Sequence, residues 1–282
     1  MTRRSGTPAR RMPPAVPTAI LLAAVAVSLF GGVLAPNDPY AQDLAHRLTP
    51  PPWMDGGNPQ YLFGTDQLGR DILSRIIVGT QASVVVGFFG VIVGALLGSV
   101  AGLIGGYLGG IADAVVMRLV DAFLSVPIIL FAVLLAIVLE PGIVTVVIAA
   151  AIAIWARFAR VVRGEVLSLR ERLFIESARA IGATNRRVMT RHLLPNLWAT
   201  IITLASLQIG SISILGASLS FLGAGVPPPT PAWGSMVANG RLYLANAWWI
   251  ATFPGGAILL LVISTNLLGD WLRDVLDPSM RA

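Results

Sequence analysis

The sequence predicts an all-α protein that crosses a membrane six times. Its 282 residues are 55% hydrophobic and 12% charged, with a mean hydropathy of +0.77, a composition of membrane proteins rather than globular domains. Uncharged runs cover residues 12–37, 76–112, 122–139, 141–156, 193–240 and 242–269. About 20 apolar residues make a helix long enough to cross the hydrocarbon core. Arginine clusters in two places: Arg3, Arg4, Arg10 and Arg11 precede the first run, and Arg157, Arg160, Arg163, Arg170, Arg172, Arg179, Arg186, Arg187 and Arg191 lie between the fourth and fifth. Positive residues near span ends stay in the cytoplasm. With six spans, both termini and the second cluster fall on that one side.

The elements are taken in chain order. Residues 1–14 form a basic cytoplasmic tail, and residues 15–35 the first spanning helix. The small residues Val33-Leu34-Ala35 suggest a cleavable leader, but Pro36 would follow the cut and five more spans come later, so a retained signal-anchor is expected. Residues 36–79 face outward. Their last part, FGTDQLGRDILSRIIVGTQAS, sets Leu68, Ile72, Ile76 and Ile77 against Arg70, Asp71 and Ser74, which predicts a helix lying in the membrane interface before the second span.

Residues 80–270 hold the remaining spans. In the second, glycine recurs every fourth residue, and small residues at that spacing let helices approach closely in lipid. Gly90, Gly94, Gly98 and Gly102 are therefore assigned to helix packing, and the glycines from Gly105 on to a tight turn. Asp113 and Asp121 read as interfacial groups or partners of Arg118, which starts the third span on the cytoplasmic side. The fourth run is short and extends to Arg160, with its arginines at the water interface. The fifth helix ends before Pro227-Pro228-Pro229. The outward loop 221–248 carries Trp233, and Trp248 and Trp249 come at its edge, all expected as interfacial anchors. Residues 271–282 form a cytoplasmic tail. No pattern singles out a substrate pathway.

The composition also excludes chemistry. All 20 basic residues are arginine, so no GxxxxGK[ST] phosphate loop can be built. There is no cysteine and there are only two histidines, His46 and His192, on opposite expected faces of the membrane, so neither a metal site nor a Ser/His/Asp set is expected. The chain is read as non-enzymatic and without a cofactor of its own. No basic, aromatic-rich face suggests nucleic acid. Ionisable residues deep in the spans would mark a gradient-driven carrier, and few are present.

Residues 163–195 form the most informative segment. From Glu165 to Arg179, Val166, Leu169, Leu173 and Phe174 recur at helical spacing with Arg and Glu between them; Gly182 breaks the helix, and Asn185 and Pro195 punctuate the stretch beyond it. This predicts an amphipathic helix, a bend and a second, basic helix. The motif Glu176-Ser177-Ala178, three residues, Gly182, nine residues, His192, one residue, Leu194-Pro195 resembles the EAA loop of ABC-importer permeases. Ser177 stands where that motif usually has Ala, and His192 where it has Ile. FGTD, GRD and SR near residues 63–75, LSFLGAGVPPPTPAWGSMV, FPGGAILL and NLLGDWLRDVLDP are similar to the dipeptide, oligopeptide and nickel subfamily, C-type subunit, over residues 34–278.

The resemblance implies a type I ABC-importer permease fold in the bacterial cytoplasmic membrane, with a coupling-helix loop made by Glu176, Ser177, Ala178, Gly182, Ala183, Leu194 and Pro195. It implies a sister permease subunit, two ATPase subunits or one fused ATPase that hold the ATP and magnesium, and an extracytoplasmic solute-binding protein delivering a peptide. Nickel or a glutathione-like cargo on the same machinery is the nearest alternative, and a gradient-driven carrier the alternative of another class.

Overall fold

The computed structural model describes residues 13–276. The four arginines before the first run, and the tails beyond those limits, lie outside the described residues. Among the described residues there are ten α-helices and no strand: α1 (Ala15–Leu34), α2 (Ile72–Leu108), α3 (Gly110–Ser125), α4 (Ile128–Leu139), α5 (Ile143–Arg170), α6 (Leu173–Ala180), α7 (Asn185–Val188), α8 (Leu194–Phe221), α9 (Trp233–Gly240) and α10 (Trp249–Leu276). Five helical stretches are long and apolar enough to cross a bilayer: α1, α2, α5, Asn185–Phe221 and α10. The candidate for a sixth crossing is the pair α3 and α4, bent by 92°. Val126 at the bend is extended (φ −92°, ψ 130°) because the ring of Pro127 disfavours helical backbone in the residue before it.

The bundle is built on α2 and α5, which make the most extensive helix contact. Glycine makes it possible. A Cβ on Gly98 would fall on the carbonyl oxygen of Trp155, and one on Gly102 on that of Ala159; at Gly90 and Gly94 it would lie 2.7 Å from Ala150 Cβ and from Ala151 O. The two backbones thus touch, with Ala150, Ala151 and Ala159 as the small residues on the facing side. In lipid such close dispersion contact holds helices together, since burial from water gives nothing there. α8 closes the pair, α10 packs on α8, and α1 lies outermost across α2 and α10.

One end of the bundle, the cap end, carries residues 36–71; the other, the hairpin end, carries the segment 171–193. The cap is a run of turns pinned by specific bonds. Asp66 accepts from Arg70 Nε at 2.7 Å and from the Leu68 and Arg70 amides, and Asp71 caps α2 by accepting from Ser74 N at 3.1 Å. Arg75 donates to Pro39 O, Trp233 Nε1 to Ile76 O, and Trp249 Nε1 to Thr65 O.

Several expectations change here. The stretch before the second span is not a separate interfacial helix: α2 begins at Ile72 and runs unbroken to Leu108. Ile72 is fully buried among Trp233, Met236, Trp249 and Ile250 instead of facing headgroups. Trp233 and Trp249 are likewise buried, donating to Ile76 O near the start of α2 and to Thr65 O in the cap; of the three tryptophans Trp248 is the most exposed. Gly105 and Gly106 belong to α2, and the turn is made by Gly109 and Gly110, both at positive φ. The last helix continues past residue 270 to Leu276. Asp113 and Asp121 pair with α5 rather than Arg118: Asp113 takes both Arg163 Nε and Arg163 Nη2, the latter at 2.6 Å, and Asp121 takes Arg160 Nη2 at 2.6 Å.

Candidate functional site

At the hairpin end α5 stops at Arg170 and the backbone of Glu171 and Arg172 leaves the helix before α6 begins. The break resets the helical phase. Val166 and Leu169 are buried, but Leu173 and Phe174, next on the same sequence pattern, are 80% and 41% exposed. Ile175 and Ala178 take over the inner face instead, and the single amphipathic helix read over 165–179 is two.

α6 ends on Gly182 at φ +85°. Gly182 N donates to Arg179 O, and Ala183 N reaches back to Ala178 O, both at 3.0 Å. This crossed pair satisfies carbonyls that the helix end leaves open and requires a left-handed residue at Gly182. Thr184 then caps α7, its hydroxyl accepting from Arg187 N. From Asn185 the chain does not stop at Pro195. It passes through a π-helical turn, Met189–Leu193, in which Leu194 N bonds to Met189 O, and enters α8. Pro195 has no N–H for the Arg191 carbonyl, so the wider turn is placed where an α-helical bond could not form anyway. Asn196 Nδ2 donates to His192 O at 2.6 Å.

The hairpin is seated on the bundle. Ile175, Val188, Leu193 and Leu197 are fully buried in the same cluster as Leu103, Tyr107, Val166 and Leu169. Three polar contacts lock the seat to the end of α2: Tyr107 Oη donates to Asn185 Oδ1 at 3.0 Å, Arg170 Nη1 donates to Gly106 O at 3.1 Å, and the Arg179 guanidinium stands 5.0 Å above the Tyr107 ring. Tyr107 is the one aromatic at this end of α2; a ring with a hydroxyl at the edge of an apolar run was the signal available in the sequence.

The seven predicted coupling residues divide. Glu176, Ser177, Gly182 and Pro195 lie on the outer surface, while Ala178 is buried and Ala183 and Leu194 pack on the core. Between the outer ones stand apolar side chains that the sequence reading did not pick as surface: Leu173, Phe174 and Ile181, the last 87% exposed. Glu176 lies in the first turn of α6, where a helix favours negative charge, and its carboxylate has no ion pair among the described residues. The outer face of the hairpin is therefore a small apolar patch around one acid, flanked by Arg172, Arg179, Arg186 and Arg187. Among the described residues no group of three or more His, Asp or Glu side chains converges as a metal site.

A family model, the binding-protein-dependent transport system inner membrane component, matches residues 94–282, which include the whole hairpin. The chain belongs to this family. The permease is 41% identical over 261 residues, 93% of its length and 86% of the relative's, to the di/tripeptide transport system permease protein DppC of Pseudomonas aeruginosa. It is 46% identical to the glutathione transport system permease protein GsiD of Escherichia coli O6:K15:H31, over 80% of this chain and 75% of that one. The probable D,D-dipeptide transport system permease protein DdpC of Escherichia coli K12 is 39% identical over 92% of this chain and 85% of its own. The fold resembles a chain of the MetNI methionine ABC transporter in an inward-facing conformation, with a TM-score of 0.57 at 19% identity, covering 72% of this chain and 97% of that chain. The family resemblance read from the motifs is thus the family found. The permease is an inner-membrane, multi-pass subunit of an ABC importer.

Proposed function

We propose that this permease imports short peptides, driven by ATP that partner subunits bind and hydrolyse, and that its hairpin is the surface on which an ATPase subunit docks. The observation that carries the docking reading is the division of the hairpin. Its inner side is fixed to α2, α5 and α8, while Leu173, Phe174 and Ile181 stand in water around Glu176. Exposed apolar groups on a rigid, charged-rimmed knob mark an interaction site. Because Tyr107, Asn185 and the π turn tie the knob to α2 and α8, a push on it moves those helices rather than a loop. The hairpin end then faces the cytoplasm, and the cap end meets the solute-binding protein. A sister permease subunit completes the pathway.

Peptide as cargo is supported by the relatives, whose names specify di/tripeptides, D,D-dipeptides and glutathione, itself a peptide. The permease is assigned no catalytic step, and ATP and magnesium belong to the ATPase subunits. The test is reconstitution in proteoliposomes with the sister permease, both ATPases and the binding protein. Labelled dipeptide should accumulate with ATP and stay at background when ATP is withheld and a proton or sodium gradient is imposed. Robust uptake on the gradient alone would replace this reading with a gradient-driven carrier. Purified alone, the permease should neither bind nor hydrolyse ATP.

A further inference from the structure

Between His192 and Asp270 the chain carries one charged side chain, Arg241. It sits at the cap end, in the short turn Arg241–Tyr243 after α9, and its guanidinium carbon lies 4.9 Å from the centre of the Phe221 ring. A guanidinium held over a ring spends none of its five N–H donors on it and keeps them for a planar, two-oxygen acceptor. Arg241 has no ion pair among the described residues and is exposed.

Phe221 is also a wall of an open cavity of about 310 Å³ between α8, α9 and α10, lined with Ile214, Ser218, Val237 and Ile258. The hollow reaches about two turns down α8, from Phe221 to Ile214. That volume is at the small end of ligand sites, and the lining is of their usual kind, apolar with few polar groups. Arg241 does not itself line the hollow, but its guanidinium lies over Phe221, which does, and a cation on a wall residue of an apolar hollow complements a molecule with a carboxylate beside an apolar side chain. The C-terminal residue of a peptide has that form. An apolar side chain from a sister subunit would fill the hollow but leave the guanidinium without counter-charge.

We infer that Arg241 and this cavity form an entry subsite that takes the peptide C-terminal carboxylate on the guanidinium and the last side chain in the hollow. The inference rests on the proposed peptide cargo. Its test uses the absence of cysteine from the chain. Val237→Cys, and Ile258→Cys as a second reporter, are introduced one at a time into the assembled complex. Maleimide modification of this subunit is followed by mass with alanyl-phenylalanine, with its C-terminal amide, or with no peptide, at millimolar concentration and without binding protein, so that the binding protein's selectivity does not enter.

The free acid should slow labelling at least threefold and the amide should not. Arg241→Gln should erase the difference, and Arg241→Lys should restore part of it. Equal rates under all three conditions at both reporters would overturn the subsite, as would labelling blocked in the complex without peptide, which would make the cavity a subunit interface. Protection that tracks the anionic lipid content of the vesicles would assign it to a lipid and overturn it equally. ATP-driven peptide uptake by the complex without the introduced cysteine is measured alongside. If uptake is present and protection absent, only the subsite fails; if uptake is absent, the peptide reading itself fails.

Discussion

Gly182 separates two ways in which a glycine can matter. Around Gly98 there is no room for a methyl group, because the Trp155 carbonyl occupies its place. Around Gly182 there is nothing within 4 Å, and the constraint is its φ of +85° alone. A side chain there costs about 1–2 kcal/mol in backbone energy, and more for a β-branched residue. Asn tolerates this conformation better than other residues. Gly182→Val should therefore leave the complex assembled but cut ATP-driven uptake severely, while Gly182→Asn should keep most of it. If Val and Asn behave alike, the defect is not one of backbone shape, and the turn between α6 and α7 does not set the geometry of docking. Glu176 tests the other half of the same surface: it is exposed and has no ion pair among the described residues, so Glu176→Arg should abolish uptake without loss of protein from the membrane.

At the scale of elements, the sequence showed helices well and their phase poorly. The spans were legible because long apolar runs allow little else in a bilayer, and Gly182 was legible because a helix end needs a residue free to turn left-handed. What could not be read was the break at Glu171–Arg172. No glycine or proline marks it, and the apolar spacing from Val166 to Phe174 runs straight through it, so Leu173 and Phe174 looked like the inner face when they are the outer one. The π turn was hidden for the opposite reason: Pro195 announced a boundary, and the chain absorbed it by widening one turn. The partners of Asp113 were hidden because Arg163 is distant in sequence and Arg118 is near. That bidentate pair ties the bent α3 to α5, its side chains 20% and 30% exposed. Hydrogen bonds to charged groups contribute about 1.5–3 kcal/mol, less where water reaches them. Asp113→Ala should lower the thermal stability of the purified complex, and the exchange Asp113→Arg with Arg163→Asp should recover part of it. No recovery on exchange would mean that the pair's charges are not what holds α3.

For the whole molecule, orientation joins the two ends into a mechanism. The cap and the α9 segment stand at one end, the arginine-rich hairpin at the other, with α2, α5 and Asn185–Phe221 running between them. The proposed docking requires the hairpin in the cytoplasm, and the arginines of 157–191 favour that side independently, since short positive loops are retained there. The cap holds His46, the Asp66 cluster and the Trp249 bond in a compact set of turns, and lies an odd number of crossings away along the chain. The bent pair sets that count. If α3 and α4 did not cross together, the hairpin would fall on the same side as the cap. Reporter fusions decide it: an enzyme active only outside the cytoplasm, joined after residue 55, should be active, and the same enzyme joined after residue 188 inactive, with the reverse for a reporter active only inside. The same compartment for both fusions would show that α3 and α4 form a re-entrant loop, and it would leave the hairpin no access to an ATPase.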